Sequence, residues 1–198
     1  MEAGLSLFQA VHTRQFWMLC PVFFAVYFCT NSVIVHIAPY VIDLGISASF
    51  GASILSIIGG ASIIGRLLMG IIGDKIGSKR ALLVCFLILI ASFSLLQLTG
   101  GLWILSIFAL IYGFCHGGFY ALQSPTVAEL FGIRSHGLIL GIVIFGGSVG
   151  GSLGPLVTGS IFDTTTRYQL AFLLLLFLAI TGFILILSLG PVKRKLVS

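Results

Sequence analysis

Six long apolar runs constrain the fold of this chain more than any other feature of its sequence. Each run has 18 residues or more, enough for a helix to cross a hydrocarbon core about 30 Å thick. Because a backbone in lipid must satisfy its hydrogen bonds internally, we predict that each run is a transmembrane helix. The runs, called spans 1 to 6 in this subsection, are residues 16–42, 48–72, 81–98, 102–127, 137–162 and 168–189.

The composition agrees with a protein that lies almost entirely in the bilayer. Of 198 residues, 59% are apolar and 8% are charged, and the mean hydropathy is +1.21. A soluble domain has about 45–50% apolar and roughly 25% charged residues. Residues 173–176 are four consecutive leucines, which lack the alternation of a membrane β-barrel strand. We therefore predict an all-α, six-helix bundle over residues 16–190, with a cytoplasmic N-terminal segment (1–15) and a basic cytoplasmic tail (191–198).

The positions of the basic residues predict the orientation. Arg167 is the only Lys or Arg that falls on one side of the membrane, and Arg66 lies within span 2. The other eight share the opposite side: Arg14, Lys75, Lys79, Arg80, Arg134, Lys193, Arg194 and Lys195. By the positive-inside rule, the side with eight basic residues is the cytoplasmic one. We therefore predict a multi-pass protein of the cytoplasmic (inner or plasma) membrane with both termini in the cytoplasm. The net charge of +5 is thus interpreted as topology, not as nucleic-acid binding.

The sequence indicates no metal, cofactor or catalytic site. All four cysteines fall inside apolar runs, without metal-ligand spacing. Residues 146–150, GGSVG, fit the G-x-S-x-G pattern of hydrolases, but that chemistry needs a strand-to-helix elbow and a triad. In a glycine-rich span the pattern indicates helix packing. We expect no cofactor and no enzymatic activity.

The chain resembles itself when it is shifted by 86 residues. The shift aligns Cys29 with Cys115 and Pro39 with Pro125, and it aligns the Asp-Leu pair at 43–44 with the Glu-Leu pair at 129–130. With three spans in each copy, the second copy crosses the membrane upside down relative to the first. The sequence therefore predicts two inverted three-helix repeats, at about 16–98 and 102–190, as found in some secondary transporters.

Glycine is concentrated in the second span of each repeat. Spans 2 and 5 carry five and eight glycines, and span 3 carries none. Helices associate in lipid where small residues let backbones approach, so we predict that spans 2 and 5 are interior and that spans 3 and 6 face lipid. The predicted packing face of span 5 consists of Gly146, Gly147, Gly150, Gly151 and Gly154.

Arg66 is the residue with the clearest functional implication. It lies eight residues, about 12 Å, before Asp74 along the helix, and therefore well inside the bilayer. A charge at this depth costs roughly 2.5–3.5 kcal/mol and is by default a functional hypothesis; the alternatives are snorkelling to the headgroups or bonding to carbonyls of a neighbouring helix. No acid lies mid-span, so an unpaired internal cation favours an anionic ligand.

Polar residues at a similar depth are candidates for the same site. Tyr27 and Asn31 share a face of span 1, and Tyr112, His116 and Tyr120 form a stripe on span 4 at the same four-residue spacing. Tyr and His can hydrogen-bond a carboxylate while presenting apolar ring surface. The alternative role for all five is hydrogen bonding between helices.

The loop after span 2 carries a motif of a known family. Residues 70–80 read GIIGDKIGSKR, which resembles the major facilitator superfamily loop Gly-x-x-x-Asp-Arg/Lys-x-Gly-x-Lys/Arg. Gly77 permits a tight turn, and Asp74 can cap a helix N-terminus. The resemblance implies a loop that latches the two halves of a transporter together in one access state. The residues implied in that latch are Gly70, Asp74, Lys75, Gly77, Lys79 and Arg80.

Three further motifs narrow the resemblance. Residues 65–67 (GRL), 129–132 (ELFG) and 159–163 (GSIFD) resemble the monocarboxylate transporter and oxalate/formate antiporter branches. The resemblance covers nearly the whole chain and implies the C-terminal six helices of a twelve-helix transporter. It also implies that Arg66 binds the substrate carboxylate and that spans 1, 2, 4 and 5 line the pathway.

The chain departs from those branches at two places. Oxalate-type antiporters have a lysine in the helix equivalent to span 5, which here has no Lys or Arg; a single cation suits one carboxylate. The outer turn at 164–168, TTTRY, lacks the glycine that is common there, so we expect its conformation to differ.

The resulting hypothesis is a half-unit of a secondary transporter that moves small organic anions, monocarboxylates above all, by proton symport or anion exchange. Arg66 would attract the carboxylate, and Asn31, His116 and Tyr112 would orient it. One six-helix unit cannot enclose a pathway, so the expected partner is a second unit, either another copy or a separate N-terminal half. The alternatives are an inactive fragment, a non-transporting membrane interaction protein and a passive channel. The sequence identifies neither the substrate nor the coupling ion.

Overall fold

The computed structural model describes residues 4–98 and 101–190. In these ranges the chain is helical, with no β-strand, and its longer helices, α2 to α7, are long and apolar enough to cross a bilayer. The prediction of an all-α bundle with six spans is confirmed. The helices are α1 (Leu7–Val11), α2 (Arg14–Asp43), α3 (Ala48–Ile76), α4 (Ser78–Leu96), α5 (Leu102–Phe131), α6 (His136–Thr165) and α7 (Gln169–Leu187). The predicted basic tail, 191–198, lies outside the described residues.

Four of the helices are longer than the apolar runs that predicted them by three or four residues. Helices α2, α3, α5 and α6 have 29 or 30 residues, about 45 Å at 1.5 Å per residue, against a hydrocarbon core of about 30 Å. Helices of this length can cross the core with a tilt or with ends outside it. Helix α3 continues to Ile76 and includes the first residues of the segment predicted as a loop.

The N-terminal segment contains a short helix, α1, which is not a span. Ser6 and Gln9 form a reciprocal capping box at its start. The backbone before it is attached to the end of α5, because Leu5 N–H donates to the Phe131 carbonyl at 2.8 Å. Residues 4–11 therefore lie beside the end of α5.

The packing of the helices follows the internal repeat. The spans of the first triplet have 30, 29 and 19 residues, and those of the second have 30, 30 and 19. Helix α3 packs mainly against α5, and its counterpart α6 packs mainly against α2. Helices α4 and α7 lie behind α5 and α2, respectively, and contact each other. Each contact between the triplets thus has a counterpart, as two related copies would produce.

The prediction that spans 2 and 5 are interior is wrong for this six-helix unit. In their most apolar windows, α3 and α6 are 33% and 28% buried, whereas α2 and α5 are 56% and 50% buried. Helix α4, predicted to face lipid, is 44% buried and so is less exposed than α3. The physical reason is that some glycines of α3 and α6 permit close crossings, as Gly65 does with α5 and Gly150 with α2, whereas others have open space around them: Gly59, Gly60, Gly70, Gly141 and Gly146.

Close helix crossings explain where glycine is required. A Cβ on Gly150 or Gly154 of α6 would collide with the backbone of α2, and a Cβ on Gly117 of α5 would collide with the Ser62 carbonyl of α3. Gly147 and Gly151 face the side chains of Tyr27 and Asn31, whereas Gly146 has open space around it. Gly146 therefore does not belong to the contact with α2.

Candidate functional site

Two neighbouring cavities are lined by residues of α2, α3, α5 and α6, on the side of the bundle called its open side below. The first, called the arginine cavity, has a volume of about 350 Å³. It is lined by Ile34, Leu55, Ile58, Gly59, Ser62, Ile63, Arg66 and His116. The second, called the serine cavity, has a volume of about 250 Å³ and is lined by Tyr27, Asn31, Tyr120, Ser148, Gly151 and Ser152. The helices that contribute are those of spans 1, 2, 4 and 5.

Arg66 is exposed on this open side of the bundle. It is the nineteenth residue of the 29 in α3, and its Cζ lies 5.7 Å from the ring centroid of Tyr120 on α5. Of the described residues that line the arginine cavity, none is acidic. The Tyr120 ring stabilises the Arg66 guanidinium, but none of the described residues that line the cavity has a carboxylate to pair with it.

His116 is half-buried next to Arg66. Its Nδ1 lies 3.2 Å from the Ser62 hydroxyl, and its ring centroid lies 5.0 Å from that of Tyr120. Ser62 precedes Arg66 by one helical turn, so both side chains point to the same side of α3. The arginine cavity thus combines one guanidinium with a hydroxyl and an imidazole, both of which can donate hydrogen bonds.

Tyr27 and Asn31 line the serine cavity instead of the arginine cavity. The Tyr27 hydroxyl pairs with the Gln123 amide, with its oxygen 3.0 Å from Nε2 and 3.2 Å from Oε1. Asn31 Nδ2 donates to the Tyr27 carbonyl at 3.0 Å. Tyr27 therefore makes the interhelical bond of the alternative role, whereas the Asn31 bond lies within α2. Both side chains are half-buried at the cavity wall.

Tyr112 does not reach either cavity, contrary to the sequence-based expectation. Its side chain is fully buried, its hydroxyl donates to the Thr30 carbonyl at 2.8 Å, and its ring stacks on Phe108 with centroids 5.3 Å apart. Residues four apart on a helix are slightly rotated about its axis. One end of such a stripe can therefore face the core while the other end faces a cavity. Tyr112 is a packing residue in this structure.

Three serines of the site were not among the predicted residues. Ser62 contacts His116, and Ser148 and Ser152 line the second cavity. The available signal was spacing: Ser62 lies four residues before Arg66, and Ser148 and Ser152 lie four residues apart on the helix that carries the glycines. Because serine is common in glycine-rich spans, that signal was weak.

The predicted latch motif forms the turn between α3 and α4. Gly77, with φ +87°, is the single residue between the two helices, and this backbone conformation favours glycine. Asp74, Lys75 and Arg80 are exposed, and Gly70 has open space around it. Asp74 does not cap a helix, since it still belongs to the last turns of α3.

Two other residues of this region bind helix ends. The Glu129 carboxylate accepts bonds from the Ser78 backbone N–H, at 3.0 and 3.1 Å, and from the Ser78 hydroxyl, at 2.9 Å. It therefore caps α4 in the place where Asp74 was expected to act. Lys79 Nζ donates to the Leu187 carbonyl at 3.0 Å and also to the Leu189 carbonyl, where a positive charge suits the negative end of the α7 dipole.

Comparisons with known proteins agree with the fold and with the branch suggested by the motifs. Mouse monocarboxylate transporter 12 is 31% identical over 177 residues, which cover 87% of this chain and 36% of that protein. The oxalate:formate antiporter of Oxalobacter formigenes is 29% identical over 186 residues, which cover 89% of this chain and 42% of the antiporter. This chain thus spans about a third of the length of the first of these relatives.

Solved structures show the same arrangement of helices. The fucose:proton symporter of E. coli superposes with a TM-score of 0.79 over 94% of this chain and 46% of the symporter, at 17% identity. A peptide transporter superposes with a TM-score of 0.78 at 19% identity, over 93% of this chain and 39% of the transporter. The similar proteins are transporters, not enzymes, which supports the interpretation of the GGSVG segment as helix packing.

The sequence profile described as Major Facilitator Superfamily matches residues 9–198, which is nearly the whole chain. Together with six apolar helices and a packing pattern shared with solved transporters of the same fold, this match identifies an integral, multi-pass membrane protein. The chain belongs to the major facilitator superfamily.

Proposed function

We propose that this chain is a half-unit of a secondary active transporter that moves small organic anions, monocarboxylates above all. The observation that carries the proposal is Arg66: its guanidinium belongs to a predicted membrane span and lines a cavity of about 350 Å³ without an acidic lining residue. A cation held at this depth is costly unless a partner compensates it. A substrate carboxylate would supply that partner, through a charge-assisted and, in the best geometry, bidentate pair.

The number of cations supports a single carboxylate. Helix α6 contains no Lys or Arg, so the site lacks a second fixed positive charge across from Arg66. The other polar groups that line the arginine cavity, Ser62 and His116, would orient the carboxylate. Apolar side chains, among them Ile34, Leu55 and Ile58, would contact the hydrocarbon part of the substrate.

A second six-helix unit is part of this proposal. The two cavities are lined by residues of α2, α3, α5 and α6 and by none of the described residues of α4 or α7, so a partner against the first four helices would supply the opposite wall of the pathway. The chain would take the place of the C-terminal six helices of a twelve-helix transporter, and the partner would be another copy or a separate N-terminal half. Rocking of the two units about the midplane site would give alternating access, as proton symport or anion exchange.

The orientation in the membrane follows from the charges. With Lys75, Lys79, Arg80 and Arg134 on the cytoplasmic side of the inner or plasma membrane, both termini face the cytoplasm. The exposed residues of the α3–α4 turn, Asp74 among them, would then be free to latch onto the second unit in one access state.

Uptake of radiolabelled lactate into vesicles that contain the chain tests this function. We expect saturable uptake that is accelerated by unlabelled lactate on the other side, and its loss in Arg66→Gln. The matched control is Arg134→Gln, which removes a positive charge outside both cavities and should transport normally. Saturable counterflow separates a transporter from a channel.

Two results would contradict the proposal. Normal lactate uptake by Arg66→Gln would remove the arginine from the mechanism. Absence of uptake by correctly inserted wild-type protein, both alone and coexpressed with a candidate second half, would favour an interaction protein or an inactive fragment.

A further inference from the structure

We propose that the serine cavity is a second subsite, which takes a hydrogen-bond donor at the far end of the substrate. A hydroxyl or an amino group would fit there, and a second carboxylate would not. The inference rests on the proposed function, because it takes Arg66 as the residue that holds the first carboxylate. It adds the chemistry of the other end of the molecule.

The two serines of this cavity present oxygen lone pairs. Ser148 Oγ donates its proton to the Ile144 carbonyl at 3.0 Å, and Ser152 Oγ donates to the Ser148 carbonyl at 3.1 Å. A hydroxyl has one proton and two lone pairs. Because the protons are used within α6, both oxygens face the cavity as acceptors.

Asn31 adds a third acceptor from α2. Only the amide nitrogen can donate to the Tyr27 carbonyl, 3.0 Å away, so Oδ1 is turned away from that bond. The Tyr27 hydroxyl is paired with Gln123. No donor among the described residues bonds Asn31 Oδ1 or the two serine oxygens.

These three oxygen atoms favour a ligand group that donates hydrogen bonds. A carboxylate offers only acceptors, and in this cavity it would face three oxygen acceptors without a cation; the donors left to replace its water are the second Nδ2 hydrogen of Asn31 and the Tyr120 hydroxyl. A hydroxyl or an amino group can donate to the three oxygens. The subsite therefore separates an ω-hydroxy or ω-amino acid from a dicarboxylate of the same length.

Tyr120 places the two subsites next to each other. Its ring lies under the Arg66 guanidinium, with Cζ 5.7 Å from the centroid, and the same residue lines the serine cavity. The Tyr27 ring follows at 5.5 Å from the Tyr120 ring. A single small molecule that passes along Tyr120 can thus reach Arg66 and the acceptor wall together.

Matched acids that differ only at the far carbon test the inference. The four-carbon set is butyrate, 4-hydroxybutyrate, 4-aminobutyrate and succinate, and the five- and six-carbon sets vary the reach. Binding to the purified full chain is measured from ligand-induced thermal stabilisation. At the best length we expect the ω-hydroxy acid to bind about three- to tenfold more tightly than the unsubstituted acid, and the dicarboxylate to bind more weakly than either.

Removal of single acceptors shows where the preference arises. In Ser152→Ala and Asn31→Ala, the affinity ratio of the ω-hydroxy acid to the unsubstituted acid should fall toward one. Ser160→Ala, an exposed serine on the same helix but outside the cavity, should keep the wild-type ratio. Unchanged ratios in both cavity variants would overturn the inference.

The outcomes distinguish this inference from the proposed function. If monocarboxylates bind in an Arg66-dependent way but the dicarboxylate binds as tightly as the ω-hydroxy acid at every length, the acceptor subsite is wrong and the proposed function stands. If no acid of any set stabilises the chain, or if Arg66→Gln binds them as the wild type does, both fail.

Discussion

The Arg66 guanidinium lies over the ring of Tyr120, with its Cζ 5.7 Å from the ring centroid. The two residues belong to α3 and α5, which also form one of the two closest helix crossings of the bundle. The position of the cation is therefore tied to the packing of two helices. Tyr120 lines the serine cavity, and the guanidinium that it contacts lines the arginine cavity.

The aromatic ring is expected to hold the guanidinium in place for the substrate. Tyr120→Phe keeps a π face and should bind a monocarboxylate as the wild type does. Tyr120→Leu removes that face and should weaken binding about two- to fivefold, since such contacts contribute about 0.5–1 kcal/mol at exposed sites. Titration of both variants by ligand-induced thermal stabilisation makes the comparison, and equal losses in both would assign the effect to the hydroxyl.

Gly117 is expected to be required for the crossing of α3 and α5. In Gly117→Ala the added methyl would meet the Ser62 carbonyl and the Arg66 backbone, and overpacking of this kind costs about 1–3 kcal/mol. That cost exceeds the gain in helix propensity of about 0.5–1 kcal/mol. Gly146→Ala, which gains the same propensity in open space, is the control. Thermal unfolding in detergent should place Gly117→Ala below the wild type and Gly146→Ala at or above it.

Glu129 is expected to stabilise the bundle at the N-terminus of α4. Glu129→Gln loses the charge that favours the α4 N-terminus and weakens three bonds to Ser78, so it should lower the free energy of unfolding by about 1–3 kcal/mol. Asp74→Asn removes a negative charge from an exposed position in the same region and should change stability by less than about 0.5 kcal/mol. Equal effects of the two substitutions would contradict the capping role.

The turn between α6 and α7 is expected to carry local strain. Thr166 has φ +55°, a left-handed conformation that is an outlier for a β-branched residue. Thr166→Gly should therefore raise stability by about 1 kcal/mol, whereas Thr164→Gly, two residues earlier within the helix, should lower it by about 0.5–1 kcal/mol. Thermal midpoints of the two variants should move in opposite directions. A fall in both would refute the strain.

Much of the fold is readable from the sequence because lipid leaves the backbone few choices. Six long apolar runs must become helices, and the 86-residue shift finds the two triplets whose packing repeats. The burial order of the helices was not readable. Glycine marks where two backbones approach, as at Gly150 and Phe24, but it does not tell which helix lies at the centre of the bundle.

The sequence predicts a site residue where its signal is a charge deep in the membrane. It does not predict which side chains reach the cavity where that depends on the rotation of a helix about its axis. Arg66 stands out because a mid-span charge is expensive. The assignment of Tyr112, by contrast, required the rotation of α5, which places its ring against Phe108 in the core while His116, one turn later, reaches the cavity. The capping role of Glu129 was hidden because Glu129 and Ser78 are 51 residues apart in the chain.

The most direct test of the account is the binding of a monocarboxylate to the purified chain in the presence and absence of the Arg66 charge. We predict that lactate stabilises the wild type and Arg134→Gln to the same extent, that Arg66→Lys keeps a reduced response because it lacks the planar fork, and that Arg66→Gln shows none. A lactate response of Arg66→Gln equal to that of the wild type would contradict the central claim that this guanidinium binds the substrate carboxylate.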